Sequence, residues 1–280
     1  MKQRAFELKL PVYQPTSLKT DEAREIFGAL APELVVVVAY GKILPSWLLN
    51  LPRYGCINLH GSLLPKYRGA APVHWAIANG ETQTGVCSML LDVGLDTGPT
   101  YLCQDTVIGP DESVAQLYDR LAILGAPLML ATIEGIVNGT LQPRPQDHAR
   151  ASMAPILKKE DGFLDWAMTA VSIHNRVRAF NPWPGTVATF RGTICKILRT
   201  KLSPPSPSGK GQGAEQTDAL GVREGTILPS KNSLQVLCGG ATFLEILTIQ
   251  PQNRKPVSGA DFANGARIQP GEKFEPLVDN

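Results

Sequence analysis

Aromatic residues make up only 6% of this chain, and its net charge is only +2 over 280 residues. A balance so near neutral excludes binding of a polyanion by bulk charge, so any basic contact must come from local clustering. The five cysteines, Cys56, Cys87, Cys103, Cys195 and Cys238, are odd in number and form no C-x-x-C pair. Nothing there reads as a disulfide framework, and three of the five sit in apolar runs, where a free thiol packs as a small hydrophobe. With no H-E-x-x-H motif and no Cys/His ligand spacing, no metal is expected. No apolar stretch approaches the ~20 residues of a membrane helix, and the opening M-K-Q-R-A-F-E-L-K-L-P lacks the apolar core of a secretory signal. A cytoplasmic protein without membrane contact is the expectation. The sequence carries no internal repeat.

What is present is ordinary in amount, 43% hydrophobic, and ordered in arrangement. The length predicts two domains. Residues 32–40 form an apolar run bounded by Pro and Gly, as in a parallel strand buried on both faces. Residues 21–30 ahead of it read as a helix with acids in its first turn. A short helix over 45–51 and a strand over 55–60 follow. Residues 72–79 read as a helix with Pro at its start and Gly80 past its end. Strands are expected over 85–92 and 100–108, then a long helix over 111–138 that closes at Asn138-Gly139. Alternating strands and helices predict an α/β, doubly wound, Rossmann-like domain over residues 1–145.

Pro and polar residues from 143 to 154 predict a linker, set at 146–152. Short, Gly-bounded apolar runs at 186–190, 193–198, 225–228, 234–237 and 242–249 then predict a small OB-like β-barrel over 153–280. Its low-complexity stretch 203–221 is expected to be disordered. Between residues 151 and 202, eight Lys/Arg stand against three acids. Such an excess either meets phosphates or is a solvated face. Trp166, Trp183 and Phe180 are expected as core anchors rather than base-stacking platforms.

The chemistry concentrates in residues 56–69, C-I-N-L-H-G-S-L-L-P-K-Y-R-G. Asn58 and His60 are two apart, so on a strand they share one face. At a strand's carboxyl end that face opens on the crevice where α/β sheets bind ligands. Asn58 offers an amide donor to a developing oxyanion, and His60 titrates near neutrality. Asp92 and Asp96, in L-L-D-V-G-L-D-T-G-P, are both candidates for orienting the imidazole. His74 reads as a packed or surface residue, and His148 and His174 have no titratable partner nearby in sequence.

Together Asn58-x-His60, Ser62-Leu63-Leu64-Pro65 and Gly94-Leu95-Asp96-Thr97-Gly98-Pro99 resemble the formyltetrahydrofolate-dependent formyltransferases. V-V-V-V-A-Y-G (35–41) resembles that family's strand beside the pterin. K-K-E-D-G-F-L-D-W (158–166) and R-A-F-N-P-W-P-G (178–185) resemble the second domain of its methionyl-tRNA branch. The resemblance implies transfer of a formyl group from 10-formyltetrahydrofolate to the amino group of methionyl-initiator-tRNA, by a monomer that binds no DNA. It implies a catalytic trio of Asn58, His60 and Asp96. His60 acts either as general base or, protonated, as an oxyanion holder, and Asp96 fixes its tautomer and stabilises the imidazolium. Val38, Ala39, Tyr40, Gly41, Ser62, Leu63, Leu64, Pro65 and Asp92 are expected at the folate. Arg68, Lys158, Arg176, Arg178 and Arg199 are expected at the tRNA, although Arg68 could equally fix its own loop. The resemblance also implies a strand, a G-T-P turn, a helix and a second strand ahead of K-L-P-V-Y-Q-P, which the sequence given does not contain. Two alternatives stay open: a formyltransferase for a small amine (glycinamide ribonucleotide or an amino sugar) and a non-catalytic RNA-binding remnant.

Overall fold

A computed structural model describes residues 2–203, 223–229, 232–269 and 271–277. Apart from Ser203, the stretch expected to be disordered lies outside the described residues. The first part runs α1 (Lys2–Glu7), α2 (Asp21–Leu30), β1 (Val35–Val37), α3 (Ser46–Leu49), β2 (Cys56–His60), α4 (Pro72–Ala78), β3 (Gln83–Leu90), β4 (Thr100–Val107) and α5 (Val114–Val137). The strands lie in the order β1-β2-β3-β4. β1 and β2 are parallel, whereas β2–β3 and β3–β4 are antiparallel, which makes the sheet mixed. β2 is interior, so its residues are covered on both edges, and its end at His60 opens beside the chain's next turn.

Helix α5 starts from a capping box: the Ser113 hydroxyl accepts from the Gln116 amide, and the Gln116 side chain accepts from the Ser113 amide. It crosses the sheet so closely at Gly125 that a Cβ there would lie 2.5 Å from the Leu59 side chain. With 24 residues and a mean hydropathy of 1.6, α5 is the one helix among the described residues long and apolar enough to cross a membrane. Asp119, Arg120 and Glu134 punctuate it, which hid its length from an unbroken-run reading; here it packs over β3, β4 and α4.

The cysteines correct another expectation. Cys87 on β3 and Cys103 on β4 stand opposite each other and form a disulfide, with Cα atoms 4.1 Å apart. Sequence spacing could not show this, because the pairing comes from strand register. Cys56, Cys195 and Cys238 are buried free thiols. Burial raises them to about 11, about 11 and about 12, so they are inert as nucleophiles near neutrality.

The second part holds α6 (Ala170–Phe180), β5 (Thr186–Phe190), β6 (Thr193–Leu202), β7 (Ile227–Pro229), β8 (Leu234–Cys238), β9 (Thr242–Pro251), β10 (Val257–Ser258) and α7 (Gly259–Ala266). Its strands form a curled antiparallel sheet, β5-β6-β9-β8-β7, with β10 on β9. The C-terminal segment closes the curl, bridging Thr189 to Glu275 on one side and Thr226 to Lys273 on the other. Inside lie Leu164, Trp166, Ile173, Val177, Ile197, Leu234, Ile246 and Phe274.

Helix α6 was not legible as a helix, and it joins the two parts. Its apolar positions 173, 177 and 180 recur at helical spacing, and Thr169 caps its first turn. Phe180 meets Trp75 of α4 edge-on at 5.6 Å, while the Trp75 indole donates to the Pro155 carbonyl. The buried His174 ring lies between Thr200 (2.9 Å) and, across the junction, Pro110 O and the Asp111 carboxylate (both 3.3 Å). Burial lowers its pKa, and Arg178 adds to that against the opposing pull of Asp111 and Pro110. Trp166 and Phe180 are core anchors as expected, but Trp183 is 60% exposed.

Candidate active site

The end of β2, the Asp96 loop and the turn after β1 converge on a crevice of about 720 Å³. Asn58 and His60 line it from β2, and Asp96 lines it from the loop between β3 and β4. Of the two candidate acids it is Asp96 that faces the ring: its Oδ2 lies 3.7 Å from His60 Nδ1. The same oxygen accepts a hydrogen bond from the Gly69 amide at 2.8 Å. Asp92 braces its own loop instead, accepting from the Gly94 amide and from the Thr97 hydroxyl.

The other ring nitrogen settles the tautomer. His60 Nε2 is 2.8 Å from the Tyr67 carbonyl, which can only accept, so Nε2 carries the proton. Nδ1 is then the nitrogen left to gain or lose a proton, and it points toward Asp96. This corrects the expectation that Asp96 fixes the tautomer: the Tyr67 carbonyl does so, aimed by a left-handed backbone at Tyr67 (φ 60°). Asp96 is placed to stabilise a proton that arrives on Nδ1.

The S-L-L-P segment links residues that line the crevice, running from His60 and Gly61 toward Gly69 and Ala70. Ser62 is fully buried and donates to the Lys66 carbonyl at 2.6 Å, and the Lys66 amide donates back to the Leu63 carbonyl. The segment is the turn that carries the chain from His60 to Tyr67 and returns the Tyr67 carbonyl to the imidazole. Val38, Ala39, Tyr40 and Gly41 do line the crevice, along with Asp92. They follow β1 outside any helix or strand, with Ala39 (φ 47°) and Gly41 (φ 71°) left-handed, so their backbone groups are not tied into a ladder.

Sequence reading missed the α5 wall. Tyr118, Asp119 and Ala122 line the crevice, and burial raises the Tyr118 phenol. Tyr118 packs edge-on against His74, with its hydroxyl 3.3 Å from Nδ1, and burial lowers the His74 pKa. Only helical spacing could have pointed to these residues, and that spacing equally marks a core face.

The predicted basic contacts separate. Arg68 is 5% exposed, and its guanidinium is held by Gln146 and His148, which takes it out of reach of a phosphate. Arg178 is likewise committed, to Asn175 Oδ1 and to the carbonyls of Gly109 and Glu112. Arg176 spends one bond on the Asp161 carbonyl and lies over Phe180. Lys158 and Arg199 are exposed.

Residues 2–133 match the formyl transferase family, and residues 156–267 match the formyl transferase C-terminal domain. The chain belongs to the formyltransferase family. A relative from Solibacter usitatus named methionyl-tRNA formyltransferase is 44% identical over 98% of this chain and 83% of its own length. One of the same name from Myxococcus xanthus is 41% identical over the same shares. Among solved structures, an N-formyltransferase from Helicobacter canadensis superposes with a TM-score of 0.63 at 19% identity, covering 89% of this chain and 81% of its own. HypX from Aquifex aeolicus gives 0.65 at 16%, covering 99% and 49%. At such identities these two structures speak for the fold of this formyltransferase alone.

Proposed function

We propose that the chain transfers a formyl group from 10-formyltetrahydrofolate to the amino group of methionyl-initiator-tRNA, with Asn58, His60 and Asp96 carrying the chemistry. The observation behind the trio is the ring geometry. His60 keeps a proton on Nε2 against Tyr67 O and turns its basic Nδ1 toward Asp96, in a crevice that Asn58 shares. As the amine nitrogen bonds to the formyl carbon, Nδ1 takes the amine proton, and Asp96 balances the imidazolium. The Asn58 amide donates to the oxyanion developing on the formyl oxygen, a role worth ~3–4 kcal/mol of barrier. The C–N bond to the donor then breaks, and Nδ1 returns its proton to the leaving nitrogen. Of the two roles open to His60, this reading takes the base.

The donor's fit rests on crevice size and wall chemistry. A volume of about 720 Å³ is in the range of small-molecule sites. The backbone of 38–41 and the Asp92 loop can bond the amide edge of a flat heterocycle between apolar walls such as Val38 and Leu91. The tRNA reading rests on the methionyl-tRNA name shared by the relatives and on the exposed Lys158 and Arg199, with Arg176 partly available. It carries a cytoplasmic location with it, where charged initiator tRNA is found. A division of the chain at 146–152 is supported by the gap between the two family matches, 133 to 156.

The test supplies the purified chain with 10-formyltetrahydrofolate and either methionyl-initiator-tRNA or glycinamide ribonucleotide. We expect formylmethionyl-tRNA and no formylated ribonucleotide. The reverse outcome would replace the substrate, and no product from either would overturn the methionyl-tRNA reading. Charge reversal at Lys158 and Arg199 should weaken tRNA binding and flatten its dependence on salt.

A further inference from the structure

Four hydrogen bonds converge on a side chain outside the crevice. Gln146 is 8% exposed and lies in the segment that leaves α5 for the second part. Its Oε1 accepts from Arg68 Nε at 3.1 Å and from Arg68 Nη2 at 2.7 Å. Its Nε2 donates to the carbonyls of Asp96 at 2.9 Å and Gly98 at 2.6 Å. Both amide protons and the carbonyl oxygen are thus used, and the orientation is unambiguous. A flipped amide would set oxygen against two carbonyls and NH₂ against a guanidinium.

The loop it holds needs holding. Asp96 adopts a left-handed backbone (φ 52°), which a non-glycine residue keeps only when its surroundings impose it. Gly98 sits where a Cβ would come within 1.9 Å of the Leu90 carbonyl, so the loop is also pressed against the end of β3. From its two carbonyls Gln146 reaches across to Arg68, and the next residue, Gly69, donates its amide to Asp96 Oδ2. Arg68 is fixed in turn from the same segment: its amide donates to the Ser152 carbonyl at 2.8 Å, and its carbonyl accepts from the Ala154 amide at 2.7 Å. The backbone pair Thr100–Arg144 sets the other end of that segment. The loop bearing the acid and the turn bearing the Tyr67 carbonyl are therefore clamped together, with Gln146 between them.

We infer that Gln146, seated on Arg68, is a positioning residue that holds Asp96 at its distance from His60 Nδ1. It touches neither substrate nor reacting atoms and acts through the carboxylate. The inference rests on Asp96 being part of the catalytic trio. The segment joining the two parts is then a structural member of the site, and not a passive connection.

The test uses the full chain with Gln146→Ala, Gln146→Glu, Asp96→Ala and the double variant Asp96→Ala/Gln146→Ala. Glu keeps the size and the acceptor for Arg68 but loses both donors to the Asp96 and Gly98 carbonyls. Each Gln146 variant should lower kcat by roughly 10–100-fold, the scale expected when a catalytic group is misplaced by about an ångström. KM for donor and for tRNA should stay within about threefold, since no binding contact is removed. The double variant should be no slower than Asp96→Ala, because residues acting as one unit do not add. As a readout apart from turnover, the NMR signals of the His60 ring in Gln146→Ala should move in the same direction as in Asp96→Ala. A residue that merely supports the fold would lower thermal stability, multiply with Asp96→Ala and leave those ring signals alone; such a result overturns the inference. If Gln146→Ala fails to fold, the isosteric Gln146→Glu carries the test. Wild-type turnover in a folded Gln146 variant beside an inactive Asp96→Ala overturns the positioning role alone. Wild-type turnover in Asp96→Ala overturns the trio and the positioning role together.

Discussion

The two walls of the crevice are built differently. On one side His60, Tyr67, Gly69 and Asp96 are joined by short bonds and backed by the buried Arg68 and Gln146. On the other, residues 38–44 follow a three-residue strand, and Ile43 is 88% exposed. The long-range side-chain bond there is from Lys42 Nζ to the Thr16 carbonyl, at the surface. Groups that move protons must be placed before substrate arrives, and a bonded, buried wall does that. A wall that recognises a flat apolar ligand can wait, since the ligand itself supplies the surface that buries it. The fixed wall should therefore govern kcat and the open wall KM.

Breaking the fixed wall has the largest expected effect. His60→Ala should reduce kcat by roughly 10³-fold or more, and Asn58→Ala by ~10²–10³-fold, with KM for both substrates little changed. Steady-state formylation of methionyl-tRNA measures both. Near-normal turnover in His60→Ala would remove the ring from the mechanism, whereas a rise in KM alone would move Asn58 from chemistry to binding.

Changes to the open wall should read out in the other constant. Tyr40→Ala and Ile43→Ser remove apolar surface at the rim and should raise KM for the formyl donor by about three- to tenfold, a loss of ~1 kcal/mol of burial. Turnover at saturating donor should hold within about twofold. A fall in kcat at unchanged KM would erase the distinction between the walls.

A smaller effect comes from His174, at the junction of the two parts. Its pKa is lowered, chiefly by burial, so the folded protein resists the proton that the unfolded chain accepts near 6.5. In the window from 6.5 down to the folded value the unfolded state binds more protons. Stability therefore falls as pH drops through that window and is retained above it. His174→Gln cannot charge, so its denaturation midpoint should change less between pH 7.5 and 5 than that of the wild type. An identical acid dependence in the two proteins would show that His174 is not the group responsible.

Much of this was legible along the chain, and the line between legible and hidden has a physical cause. Strand β5, Thr186–Phe190, reads off its Gly-bounded apolar run, and α4, Pro72–Ala78, off Pro at its start and Gly80 past its end. Asn58 and His60 could be picked out because period-two spacing is a local property, while the turn-rich loop marked Asp92 and Asp96 alike. Helix α6 escaped notice, because the polar residues His174 and Asn175 share its buried side and blur the helical spacing of 173, 177 and 180.

The local sequence determined which residues could do chemistry, since donor, base and acid are properties of side chains and their spacing. It also determined most strands and helices, through periodicity, caps and breakers. Tertiary structure decided which group each candidate faces. Asp96 rather than Asp92 meets His60, the Tyr67 carbonyl takes the Nε2 proton, and Arg68 turns inward to Gln146 instead of outward to phosphate. Cys87 meets Cys103 only because two strands pair in one register. Gln146 stands 50 residues from the Asp96 carbonyl it holds and 78 from Arg68, and no spacing rule reaches that far. Partners so distant in the chain are brought together by packing the whole core, which is why only the folded molecule reveals them.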